Sequence, residues 1–115
     1  MRLEVEFEFS AAHRLPVHEG PCARLHGHNY RLIVTVEGQP DPETGMVMPF
    51  EDLERTVRDD VLARCDHQML NDFLENPTAE RIAEWIWDAL SPRVPGLFEL
   101  RLFETPRYAV VYRGG

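Results

Sequence analysis

Three imidazoles and a thiol are the groups in this chain best suited to chemistry: His13, His26 and His28, with Cys22 nearby. Neutral imidazole is a good zinc ligand, and three protein ligands with an open fourth position describe a catalytic site rather than a structural one. Gly27, between the second and third histidines, has no side chain, so the backbone there can bend or approach an ion closely. Cys22 lies four residues before His26, and this spacing leaves two roles open. It is either a fourth ligand that closes the site or a thiolate of lowered pKa that acts as a base. Asp66-His67 places a carboxylate beside an imidazole, which tunes the imidazole for proton transfer near neutral pH. The same residues also fit a histidine stabilised at a helix C-terminus. His18, between Pro16 and Gly20, reads as a solvent-exposed loop residue, and Cys65, beside Leu62 and Ala63, as a small buried hydrophobe.

These groups need elements to position them. From Arg2 to His13, Leu3, Val5, Phe7 and Phe9 alternate with Arg2, Glu4, Glu6 and Glu8, the period of a half-buried strand. After a loop at 14–25 holding Pro16, Gly20 and Pro21, the alternation resumes through Tyr30, Leu32, Val34 and Val36. His13 shares the parity of the first apolar set, and His26 and His28 that of the second. All three therefore leave the sheet on its covered face, and an antiparallel pairing brings the end of the first strand beside the start of the second. The turn formers at 38–45 precede a helix that Pro49 opens, with Phe50, Leu53, Val57 and Val61 on one face, running to about Arg64. A second helix starts at Thr78 as N-cap, with Glu80 in its first turn and Ile82, Ile86, Ala89 and Leu90 facing inward; Pro92 and Pro95 stop it. Phe98, Leu100 and Leu102 alternate with Glu99 and Arg101, and a turn at Pro106 leads into Tyr108 to Tyr112, a closing hairpin. Glu104 has the parity of the apolar residues of this strand. A carboxylate on that face needs a partner, such as a ligand with two parallel N–H donors, unless it reaches solvent at the strand end.

The expected order is β-β-α-α-β-β: an α+β domain with a four-stranded antiparallel sheet and two helices on one face. Its two open edges call for cover, which a small chain often supplies by pairing with copies of itself. The 115 residues suffice for a single domain, 1–115, with one core. A net charge of −8 and no basic run speak against nucleic acid as a partner. No segment approaches the ~18 consecutive apolar residues of a membrane span. The start Met1-Arg2-Leu3-Glu4 lacks a secretory apolar core, so a cytoplasmic location is expected, with both cysteines as free thiols.

Several ordered segments carry a resemblance: Phe9-Ser10-Ala11-Ala12-His13-Arg14-Leu15, Cys22-Ala23-Arg24-Leu25-His26-Gly27-His28-Asn29-Tyr30, Gly45-Met46-Val47, Asp66-His67, Leu70-Asn71-Asp72, Pro77-Thr78-Ala79-Glu80 and Glu104-Thr105. Together they resemble the 6-pyruvoyltetrahydropterin and 6-carboxytetrahydropterin synthase family over nearly the whole chain. The short Cys-x-x-x-His-Gly-His spacing is similar to the 6-carboxytetrahydropterin synthase branch of queuosine biosynthesis, because the pyruvoyl branch typically has a longer gap there. The resemblance implies the tunnelling fold, trimers that stack into a hexamer, and active sites at subunit interfaces. It implies a zinc cofactor on His13, His26 and His28, and conversion of 7,8-dihydroneopterin triphosphate to 6-carboxytetrahydropterin with loss of acetaldehyde and triphosphate. Carried onto this chain, it makes Cys22 the general base and His67, oriented by Asp66, a proton relay. Glu104 grips the pterin edge beside Thr105, and Arg14 and Arg24 are the candidates for the triphosphate. Pyruvoyl-branch activity and a non-catalytic structural zinc module are the alternatives. Two positions depart from the family pattern: Pro49 stands where Asp or Asn is usual, and Arg81 replaces the usual asparagine after Thr-x-Glu.

Overall fold

The alternation that starts at Arg2 folds into β1 (Arg2–His13) and that after the loop into β2 (His26–Glu37), in a computed structural model that describes residues 1–115. The two pair antiparallel over their full length, from Arg2 opposite Glu37 to His13 opposite His26. Phe7, Phe9, Ala11, Tyr30, Leu32, Val34 and Val36 are buried on one face, while Glu4, Glu6 and Glu8 stay exposed on the other.

The sheet has five strands rather than four, and it is mixed. A two-residue strand, β3 (Gln68–Met69), runs parallel to β1, with Ala11 opposite Gln68 and Ala12 opposite Met69. A strand this short has no period to read, and its pairing with the edge of β1 creates it. β4 (Leu97–Thr105) pairs with β2, and β5 (Tyr108–Tyr112) closes the predicted hairpin, giving the order β3-β1-β2-β4-β5. The β2–β4 register shifts between Thr35 and Val36, so Leu97 sits opposite Val36. That shift turns Phe98 off the expected apolar face. Its ring instead stacks under the guanidinium of Arg2 at 3.8 Å and that of Arg113 at 4.5 Å.

The first helical segment runs as α1 (Phe50–Val57), a wide π turn at Arg58–Leu62, and a last α-helical turn, α2 (Ala63–Cys65). Its buried residues Leu53, Val57, Val61 and Cys65 recur every fourth position. In an α-helix each such step overshoots a full turn by roughly 40°, and the wider i→i+5 turn takes up the drift so the stripe stays on the sheet. Phe50, expected on that stripe, is 54% exposed because it stands in the first turn, ahead of the packed region. Pro49 precedes the helix in extended conformation and supplies no side-chain cap.

The second long helix, α3 (Ala79–Leu90), starts as expected, with Thr78 Oγ1 accepting from the Arg81 N–H at 3.2 Å. Ile82, Ala83, Ile86 and Leu90 are buried against the same sheet face as Leu100 and Leu102; burial of each large side chain contributes ~1.5–3 kcal/mol. Arg81 points outward and pairs with Glu84 at 2.8 Å. No helix is long and apolar enough to cross a membrane.

Candidate metal centre and active site

The full-length register of β1 and β2 places His13 opposite His26 and Ala11 opposite His28, so the three imidazoles gather at one end of the covered face. Their ring centroids lie 4.5, 4.9 and 5.1 Å apart, and one nitrogen from each falls within 4.8 Å of the others. His13 is fully buried; His26 and His28 are half-buried.

Their hydrogen bonds fix which nitrogen faces inward. His13 Nδ1 lies 2.7 Å from the Pro77 carbonyl oxygen and His26 Nδ1 2.7 Å from that of Arg24. A carbonyl only accepts, so each Nδ1 carries the proton and each Nε2 presents a lone pair. These two Nε2 atoms face each other at 3.0 Å, an arrangement that two neutral imidazoles leave unsatisfied and that a shared proton or a metal ion satisfies. Two Zn–N bonds of ~2.0–2.1 Å at a tetrahedral angle would separate the nitrogens by about 3.3 Å, close to this distance. His28 Nε2 is buried with no hydrogen-bond partner, a third donor left over. The set fits a borderline ion such as zinc. Burial pushes the pKa values of His13 and His28 down, against the opposing pull of the Pro77 carbonyl on His13 and the Glu104 carboxylate on His28, which favours the neutral, ligating form.

Glu104, at the end of β4, directs Oε1 to 3.7 Å from His28 Nε2, too far for a hydrogen bond, so its carboxylate stands beside the histidine cluster. Thr105 has another occupation: its Oγ1 accepts from the N–H groups of Arg107 and Tyr108, both at 3.2 Å, and holds the β4–β5 turn. Cys22 sits on a short 3₁₀ turn, Pro21–Ala23, half-buried and outside the cluster of ligating atoms. It borders a cavity of about 500 Å³ with His18, Thr78, Glu80 and Glu104. His18 is exposed, as expected, yet forms part of this wall. Glu80 is legible in the sequence only as a helix-start acid; its place on the cavity depends on how α3 docks. Tyr30, read as a strand residue, is fully buried with its hydroxyl 3.4 Å from His13 Nδ1, and burial raises its pKa so that it stays a phenol.

Asp66 and His67 follow the last turn of α2. Asp66 is extended and His67 takes φ 59°, left-handed space that costs a non-glycine residue roughly 1–3 kcal/mol. Two bonds to β1 hold this bend: the His67 N–H donates to the Ser10 carbonyl at 2.6 Å, and the Ser10 N–H to Asp66 Oδ1 at 3.0 Å. The same Oδ1 meets His67 Nδ1 at 3.0 Å, as a carboxylate that orients an imidazole would. The Ser10 N–H, with His67 beside it, holds the Asp66 carboxyl below its ordinary range. His67 is 80% exposed and borders a cavity of about 470 Å³ with Ser10, Gly27, His28 and Asn29, on the open face of the sheet. Cys22 and His67 thus line different cavities of one chain. Arg14 and Arg24 are both exposed, and their guanidinium groups make no ion pair. Cys65 is fully buried, its thiol pushed up to about 12.

A helix-backed sheet that gathers three imidazoles beside Glu104, a carboxylate on the cavity wall, defines a class: α+β enzymes of the tunnelling fold. The structure of Caenorhabditis elegans 6-pyruvoyl tetrahydropterin synthase superposes with a TM-score of 0.90 at 29% identity, covering 100% of this chain and 96% of that one. The chain belongs to the 6-pyruvoyl tetrahydropterin synthase family, whose model matches residues 2–115. Among its relatives, the Synechocystis 6-carboxy-5,6,7,8-tetrahydropterin synthase is 46% identical over 93% of this chain and 88% of its own length. The 6-pyruvoyl tetrahydrobiopterin synthase of Pongo abelii is 38% identical over 83% of this chain and 72% of its own.

Proposed function

We propose that this chain is a 6-carboxytetrahydropterin synthase, a carbon–carbon lyase of queuosine biosynthesis. It takes 7,8-dihydroneopterin triphosphate and one water to 6-carboxy-5,6,7,8-tetrahydropterin and releases acetaldehyde and triphosphate. The observation that carries the reading is the set of three converging imidazole nitrogens, two facing each other at 3.0 Å and the third buried without a partner, next to Glu104 on the wall of the cavity that also holds Cys22. The greater identity to the Synechocystis carboxy enzyme than to the orangutan pyruvoyl enzyme and the short Cys22-to-His26 spacing favour the carboxy branch.

His13, His26 and His28 are the residues that would hold zinc, which when bound supplies Lewis-acid polarisation of the substrate's side-chain hydroxyls. Cys22, as thiolate, removes a carbon-bound proton. His67, held by Asp66, relays protons to and from the intermediate. Glu104 receives the paired N–H groups of the amino-pyrimidinone edge, with Thr105 as its neighbour and Glu80 as a second acceptor in the cavity. Arg14 and Arg24 have guanidinium groups available for the triphosphate. Because Cys22 and His67 border different cavities within one chain, the reading has a neighbouring copy supply its Asp66-His67 pair, in a hexamer of two stacked trimers in the cytoplasm. The structural zinc alternative needs Cys22 as a ligand, and the ligating cluster forms without it.

Mass spectrometry of the products tests this. Zinc-loaded protein is expected to yield acetaldehyde and 6-carboxytetrahydropterin, with Cys22→Ala and His67→Ala each slowed by about 10²–10⁴-fold, the usual contribution of a general acid or base. A product of pyruvoyl mass moves the chain to the other branch, and no acetaldehyde refutes the lyase. Full activity in Cys22→Ala refutes the base assignment.

A further inference from the structure

The loop that carries Cys22 has few attachments to the rest of the domain. Its backbone hydrogen bonds are internal: Leu15 N–H to the Cys22 carbonyl, His18 to Leu15, Ala23 to Gly20 and Arg24 to Pro21, all at 3.1 Å. At its far end the Arg24 carbonyl is tied to the next residue but one, His26. At its near end stands Asn71, on the 3₁₀ turn Leu70–Asp72 that follows β3. The Asn71 side-chain amide clasps the Arg14 peptide groups from both sides: Oδ1 accepts the Arg14 N–H and Nδ2 donates to the Arg14 carbonyl, each at 2.8 Å. The two partners leave only one orientation for the amide. It reproduces the pair of bonds a continuing strand would have made, at the point where β1 has ended and β3 has stopped.

We infer that Asn71 is a positioning residue for Cys22, acting through a short chain of bonds: the amide fixes Arg14, and the adjoining Leu15 N–H fixes the Cys22 carbonyl. The same segment fixes the metal centre, since the Pro77 carbonyl takes the His13 Nδ1–H at 2.7 Å. Residues 71–77 thereby set the Cys22 loop and the buried histidine against one reference, so the distance from thiol to imidazoles is held from outside the loop. The inference rests on the reading of Cys22 as the base.

The test compares wild type, Asn71→Ala and Asn71→Asp by the rate at which iodoacetamide alkylates Cys22, with the buried Cys65 as internal control, and by zinc content and steady-state kinetics. Asn71→Ala is expected to alkylate severalfold faster at Cys22 with Cys65 still protected and zinc stoichiometry unchanged. Its kcat is expected to fall about 10- to 100-fold, the loss that follows when a reacting group is displaced by about an ångström. KM is expected to rise by a smaller factor than kcat falls, because the peptide released is that of Arg14, a candidate for the triphosphate, while the proton transfer by Cys22 bears on kcat. Asn71→Asp keeps the acceptor for the Arg14 N–H and is expected to recover part of the protection. Wild-type alkylation at Cys22 in Asn71→Ala overturns the inference, as does equal acceleration at Cys22 and Cys65, which marks general loosening. If Asn71→Ala fails to fold, Asn71→Asp decides: with its donor to the Arg14 carbonyl lost, wild-type alkylation and kcat overturn the inference. If the wild type makes no acetaldehyde, the lyase reading fails while the alkylation comparison still tests the tether.

Discussion

Stripping the domain of divalent metal is expected to lower its melting temperature steeply, and the histidine geometry sets the scale. Without a cation, two Nε2 lone pairs meet at 3.0 Å and a third nitrogen is buried without a partner, at the point where the end of β1 meets the start of β2. An ion held at about 100 times its Kd stabilises the native state by ~2.7 kcal/mol. At about 4 °C per kcal/mol for a domain of 115 residues, that is about 11 °C. The pH dependence follows from the burial of two of these imidazoles. Burial lowers His13 and His28, so the unfolded chain takes up their protons first as pH falls through about 6.5. The stability these neutral imidazoles contribute is therefore present above that value and lost on acidification. Ordinary imidazoles would each cost metal binding about 1.4 kcal/mol one unit below 6.5; the lowered values move that penalty to lower pH, so the metal-dependent shift should persist at pH about 6.5 and vanish on further acidification. Thermal melts with zinc and with chelator across this range provide the assay, with His28→Ala as the variant that loses the shift. Equal melting temperatures with and without zinc, or an undiminished shift in His28→Ala, would refute the reasoning.

Removal of the α3 cap in Thr78→Ala should cost about 1 kcal/mol, read as a fall of about 4 °C in Tm; an unchanged Tm would show that the Thr78–Arg81 bond carries no stability. Asp66 is held below its ordinary range, so its contribution is present above the unfolded carboxyl value near 3.9 and is lost as pH falls through the folded one. Asp66→Asn retains an acceptor for the Ser10 N–H without the charge and should flatten the acid limb of a urea-denaturation series between about pH 3 and 5.

The parts of this molecule that can be read from sequence are those governed by a local period. Alternation along β1 and β2 reports one wet and one dry face, and shared parity is enough to bring His13, His26 and His28 together. Thr78 and the apolar face of α3 are legible for the same reason. Where pairing between distant segments decides, the pattern misleads. The register shift beside Val36 turns Phe98 outward, and β3 exists only because two residues meet the edge of β1. Glu80 reads locally only as a helix-start acid and Asn71 belongs to no period, since each matters through the segment it lies against. Cys22 and Asp66-His67 stand on a loop and a bend, where parity has no meaning, so their separation between two cavities follows only from how that loop and that bend dock on the sheet.

The wide turn at Arg58–Leu62 makes chain length a functional variable. Every side chain from Ala63 to His67 leaves this helix at an angle set by how many residues the turn holds, so a one-codon insertion or deletion within the helix ahead of them acts as a rotation of about 100° on all of them. Such an indel would lift Cys65 out of the core and swing Asp66 away from the Ser10 N–H while leaving every named residue intact. Lineages that drift in length should therefore place their gaps after Gly38, in the exposed stretch around Asp41–Met46, and spare this helix even where its surface residues vary freely.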